Sequence, residues 1–277
     1  MTTTVSRRGR SRRMSARRMN YRLINHGRMS LWRLEWLRLI RTPRAISLAA
    51  VFLLTGLAEP VLTKYESKIF AHVGNGVRIS APPPTAADGL NSYVAEALLV
   101  GLILVVVLAA GALTFDANQG RAIFLRTRVA SCWQLLAPRV AVSAAAAAAA
   151  YLVGTLAAWY EVALLLGSLR PGQVLAGVLC GAVYLVFAVA VTAFAASLAR
   201  STIATAGIAF MVLLALPILG AVQVIARWLP SALVSAPVDI VNRTHQIGYF
   251  WPAFVVAVAA SAAALAAATH RLNAREV

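Results

Sequence analysis

Apolar residues recur along this chain in blocks near or above the ~20 residues that carry a helix across the hydrocarbon core of a bilayer. Short polar or broken junctions separate the blocks, and the pattern predicts helices over about 45–63, 92–114, 138–166, 173–197, 202–225 and 252–269. The fold class is therefore all-α, a polytopic membrane protein with six transmembrane helices. The first block is interrupted near its end by Glu59 and Pro60, where a proline kinks or ends a helix. Pro217 is expected to kink the fifth. Seven consecutive alanines, Ala144 to Ala150, and the pair Gly177 and Gly181 give the third and fourth helices small faces. Such faces suit close packing, either within one subunit or along a dimer seam.

A different periodicity precedes the first span. In "RMSLWRLEWLRLIRTPR", residues 28–44, Met29, Trp32, Trp36, Leu39, Ile40 and Pro43 gather on one side of a helix, with Arg33, Glu35, Arg38 and Arg41 distributed round the rest. This predicts an interfacial amphipathic helix in the membrane plane, its Trp32 and Trp36 at headgroup level and Arg38 and Arg41 toward anionic lipid. It serves as an anchor alone or also touches a cytoplasmic partner. Residues 1–27, basic and without apolar periodicity, read as a disordered cytoplasmic tail.

Charge sets the orientation. The chain holds 26 Lys and Arg against 9 acids, and 20 of the 26 fall in 1–44, 115–139, 198–201 and 270–277, on one side of the predicted spans. That side is cytoplasmic by the excess of positive charge, so both termini are placed there, the second as a short tail over 270–277. The same distribution argues against nucleic acid as a partner, since the charge flanks apolar blocks instead of forming a binding face. Only Lys64 and Lys68 are lysines. The arginine bias, with abundant alanine, points to a GC-rich, actinobacterial genome and hence to a bacterial plasma membrane. Cys132 and Cys180 fall at a membrane edge and within a span, as apolar fillers and not as a disulfide framework.

Catalytic patterns are missing. No G-x-x-x-x-G-K-[ST] cradle for nucleotide phosphates occurs, and His26, His72, His245 and His270 are scattered without metal-ligand spacing. No enzyme activity, metal or cofactor is expected of this chain itself. Glu59, Glu96 and Glu161 lie on three spans toward the outer end. They form either an outer-leaflet polar cluster that attracts a cationic substrate, or carboxylates paired with Lys64, Lys68 or Arg170 and with interfacial water.

Between the second and third spans lies "FDANQGRAIFLRTRVAS", residues 115–131. Gly120 breaks the preceding helix, and Arg121 to Ser131 make about three helical turns. Arg121 and Arg128 share a side. The segment reads as a solvated loop whose arginines enforce topology, or as a short helix along the membrane.

Taken in order, "LWRLEWLRLIRTPR", two spans, "FDANQGRAIFLRTRVASCWQLLAPRV", the tight "LARSTIATAG" turn and "LALPILGAVQVIARWLPSALVSA" resemble ABC transporter permeases of the type 2 exporter family, over most of residues 30–270. The resemblance implies that 121–131 is a cytoplasmic coupling helix docking into a separate ABC ATPase subunit, through Gly120, Arg121, Phe124, Arg126 and Arg128. Where family members carry Glu then Gly-Thr, this chain has Asp116, Gly120 and Arg121. It further implies that ATP and Mg are bound by the ATPase, that the permease pairs with a second copy or a paralogue, and that two short helices over 226–251 dip into the outer leaflet, with Trp228, Tyr249 and Trp251 at the interface. The function so implied is efflux of a drug, lipid, peptide or glycan. The alternative is a non-transporting assembly or sensor subunit that recruits a cytoplasmic partner.

Overall fold

The computed structural model describes residues 32–73, 83–114 and 132–274, and every regular element among them is a helix. Residues 32–41 form α1. After it come α2 (Pro43–Val73), α3 (Ala86–Leu113), α4 (Cys132–Leu165), α5 (Pro171–Leu198), α6 (Thr202–Leu219), α7 (Gln223–Ala226), α8 (Ala232–Val241) and α9 (Trp251–Ala274), with a 3-10 turn, Ile247–Phe250, before α9. Six of these helices, α2 to α6 and α9, are long and apolar enough to cross a membrane.

Local chemistry sets the helix ends. Thr85 and Asp88 form a reciprocal capping box at the start of α3: the Asp88 amide donates to Thr85 Oγ1 at 3.3 Å and the Thr85 amide to Asp88 Oδ2 at 2.8 Å. Pro171 opens α5 at a position where its missing N–H costs nothing. Ser201 caps α6 by accepting from the Ala204 amide at 3.2 Å.

Three boundaries depart from the periodicity, and prolines account for them. α2 passes through Pro60 instead of stopping there. Pro60 is buried against the Gly89 region of α3, and just beyond it Thr63 Oγ1 donates to the Glu59 carbonyl at 2.9 Å and lies 3.0 Å from Ser92 Oγ. Neighbouring helices and hydroxyls stabilise a break that an isolated helix would not tolerate. α4 begins at Cys132 and runs through Pro138, which is buried with Leu136. α6 ends at Leu219, two residues after Pro217, with Gly220 as its C-cap, so the apolar run to 225 is divided between α6 and α7.

The centre of the bundle is α5, which packs on α3, α4, α6, α8 and α9. The most extensive single contact joins α2 to α4. A Cβ on Gly56 of α2 would strike the Gly154 carbonyl, and one on Gly154 of α4 would strike the Phe52 carbonyl. Backbones meet here with no side chain between them, which is where dispersion between membrane helices is gained. Beside this crossing Phe52, Tyr93 and Tyr151 are fully buried, Tyr93 and Tyr151 stacked at 6.4 Å and Phe52 edge-on to Tyr151 at 5.9 Å.

The small faces on α4 and α5 are spent inside the subunit. Ala144, Ala147 and Ala150 are buried, Gly181 lies under the Tyr151 ring, and Gly177 receives Pro237 of α8. α8 lies along α5 with Leu233 and Ala236 fully buried, while Trp228, Tyr249 and Trp251 around it are exposed.

Candidate functional site

One end of the bundle, here the basal end, gathers α1, the start of α2, the end of α3 and the start of α4. Residues 115–131, which join α3 to α4 at this end, lie outside the described residues, as do 1–31, 74–82 and 275–277. The coupling-helix residues Gly120, Arg121, Phe124, Arg126 and Arg128 are therefore not placed, and neither is the tail over 1–27.

The interfacial residues are placed. Trp32, Trp36 and Ile40, spaced i, i+4, i+8, form an exposed apolar stripe on α1, with Arg33 and Arg41 also exposed. The periodicity misassigns two positions. Leu39 does not join the apolar stripe, and Glu35 does not belong to the polar surround, since both line a cavity inside the basal end. Glu35 is turned inward by a cation on a distant helix: its Oε1 accepts from Arg139 Nε at 3.1 Å. The Arg139 side chain is 10% exposed and Glu35 18%. On its other side Glu35 faces Arg38 Nη1 at 3.8 Å, one turn along α1.

Arg139 has a second task. Its Nη1 donates to the Ala112 carbonyl at 3.2 Å. Ala112 is in the last turn of α3, where carbonyls have no partner within the helix, so the guanidinium satisfies an orphan acceptor that lipid would leave costly. Two residues on, Thr114 Oγ1 donates to the Ala110 carbonyl at 2.7 Å and lies 3.4 Å from Thr205 Oγ1 of α6. One arginine thus ties α1 to α3 and α4, the two helices that enter and leave 115–131.

Beside this clamp is a cavity of about 50 Å³. Its polar lining comprises Glu35, Arg38, Thr42, Arg44, Arg139 and Ser143; aliphatic residues of α1, α2, α3 and α4 form the rest of the described lining. Sequence reading passed over Arg139 and Arg44 as topogenic charge. The available signal was Glu35, the only acid in the first 58 residues and so a cation's natural partner.

At the distal end, Glu59 and Glu96 are brought close enough to interact electrostatically. No hydrogen bond joins Glu161 to either. Lys64 and Lys68 approach the Tyr65 ring at 5.8 and 5.5 Å. Among the described residues no cluster of three or more metal-ligating side chains occurs.

Six apolar helices of spanning length and an exposed tryptophan stripe on the helix before them define a multi-pass helical membrane protein. The chain is 23% identical over 228 residues to an uncharacterized transmembrane protein of Bacillus subtilis (strain 168), YxlG, an alignment covering 80% of this chain and 88% of the relative. No family model matches it, and neither does any solved structure.

Proposed function

We propose that this chain is the permease subunit of an ATP-binding cassette exporter in a bacterial plasma membrane. It has no catalytic site of its own; a separate ATPase binds ATP and Mg, docks on 115–131, and drives efflux through a pair of permeases. The basal end faces the cytoplasm in this reading, in accord with the charge excess of its flanking segments. The observation that carries the reading is the Glu35–Arg139–Ala112 clamp. A push on 115–131 reaches α3 and α4 directly, and the clamp makes α1 move with them. α8, packed on α5 and α3, gives the distal end an element that can respond. Nucleotide biases such a device only if docking contacts differ between the inward- and outward-open states.

The test is whether an ABC ATPase co-purifies with the full-length chain, and whether the turnover of such an ATPase in liposomes depends on it. The permease should remain bound and alter ATP hydrolysis, and Arg121→Glu, Arg126→Glu and Arg128→Glu together should release the ATPase while the membrane domain stays folded. An ATPase that neither binds nor changes rate removes the exporter reading and leaves a recruiting or sensing subunit.

A further inference from the structure

The basal cavity carries an imbalance of charge that the clamp does not resolve. Among the described residues, three guanidiniums, of Arg38, Arg44 and Arg139, line it against one carboxylate, that of Glu35. Glu35 is engaged by Arg139 and Arg38. Arg44 is half-buried, its guanidinium lies near Gly111 of α3, and that guanidinium makes no hydrogen bond or ion pair with another described residue. A cation withdrawn from water without an anion is unfavourable, so this arrangement favours a negatively charged occupant.

The space suits a small oxyanion. One buried water needs roughly 10–15 Å³ on the measure by which this cavity has about 50 Å³, so a tetrahedral group fits. Ser143 adds a hydroxyl donor to the guanidiniums, a donor set that phosphate oxygens accept from. Leu48, Val105 and Leu108 continue the wall in hydrocarbon. Exposed Trp32 and Trp36 hold the same end at headgroup depth.

We propose that this cavity is a phosphate-ester site, with Arg44 as the principal ligand and the headgroup of an anionic phospholipid as the favoured source, its chains lying along the aliphatic wall. The site is independent of the exporter reading, because occupancy is measured on this chain alone. Purified, delipidated full-length protein is titrated separately with phosphatidylglycerol, with a diacylglycerol bearing the same chains, and with inorganic phosphate. Native mass spectrometry counts bound lipid, and thermal unfolding reports all three.

Phosphatidylglycerol should bind and raise the unfolding midpoint, and diacylglycerol should do neither. Arg44→Gln should weaken binding by about tenfold or more, the effect of losing a charge-assisted hydrogen bond. Arg44→Lys should recover part of it. Ser143→Leu fills the cavity while keeping every charge, and should also weaken binding; it carries the test if Arg44→Gln does not fold. A response to inorganic phosphate that depends on Arg44, without one to phosphatidylglycerol, keeps the phosphate site and assigns it to a soluble ester. Binding that is equal in wild type, Arg44→Gln and Ser143→Leu, or diacylglycerol matching phosphatidylglycerol, overturns the proposal.

Discussion

Glu35 and Arg139 meet at 3.1 Å across 104 residues of sequence, and through them an amphipathic helix is locked to the membrane bundle. Removing the acid leaves a nearly buried guanidinium short of its counterion. Glu35→Gln is expected to destabilise the protein by about 2–3 kcal/mol, below the roughly 3–5 kcal/mol of a fully buried pair because both side chains retain some exposure. Thermal unfolding in detergent measures it. The double variant Glu35→Gln, Arg139→Gln should lose less than the two single losses added together, and strict additivity would remove the pairing from the account.

The α2–α4 crossing depends on the absence of two side chains. Gly56→Ala should force the backbones apart and cost about 1–3 kcal/mol. Gly207, inside α6, has nothing within 4 Å of an added Cβ. Gly207→Ala should leave stability unchanged or raise it by up to about 1 kcal/mol. Equal effects in the same unfolding assay would show that helix propensity, and not contact, governs both.

Tyr93 and Tyr151 are neighbours with unequal hydroxyls. Tyr93 Oη donates to the Tyr151 carbonyl at 3.2 Å and lies 3.3 Å from Thr155 Oγ1, whereas the buried Tyr151 Oη has no hydrogen-bond partner. Tyr93→Phe should cost about 0.5–1.5 kcal/mol, and Tyr151→Phe should be neutral or mildly stabilising. The reverse order of unfolding midpoints would contradict the arrangement.

α8 is held by a close approach: a Cβ on Gly177 would lie 2.5 Å from Pro237 Cα. Gly177→Leu should lift α8 from α5. A cysteine placed at Leu233 in a background without Cys132 and Cys180 should then react with maleimide many times faster than with Gly177 intact. Unchanged labelling would mean that α8 is anchored elsewhere.

Orientation is tested the same way. Single cysteines at Arg121 and Arg200 should label only after permeabilisation, and one at Ser168, in the turn between α4 and α5, should label in intact cells. Labelling of position 121 from outside would reverse the topology and remove the basis for a cytoplasmic ATPase.

Much of the fold was legible in linear order, because a span announces itself by length and apolarity alone. The prolines were less so. Pro60 and Pro138 look like helix ends in sequence, yet Thr63, Ser92 and buried packing carry α2 and α4 through them. Pro217 met no such support at the edge of the bundle, and α6 ends beside it. The stripe Trp32, Trp36 and Ile40 followed from helical spacing, whereas the inward turn of Glu35 did not, since its cause sits on α4. The carboxylates on three spans shared a depth in sequence; the structure brings Glu59 and Glu96 within electrostatic reach of each other.

By itself the sequence determined that this protein crosses a membrane six times with an amphipathic helix before the first crossing, because hydrophobicity and helical period are properties of consecutive residues. Tertiary structure alone decided which charges are partners, which glycines are contacts, and that Arg44 stands beside a cavity with no counterion among the described residues. Those depend on distances between helices far apart in the chain, and such distances are fixed by packing the whole bundle at once.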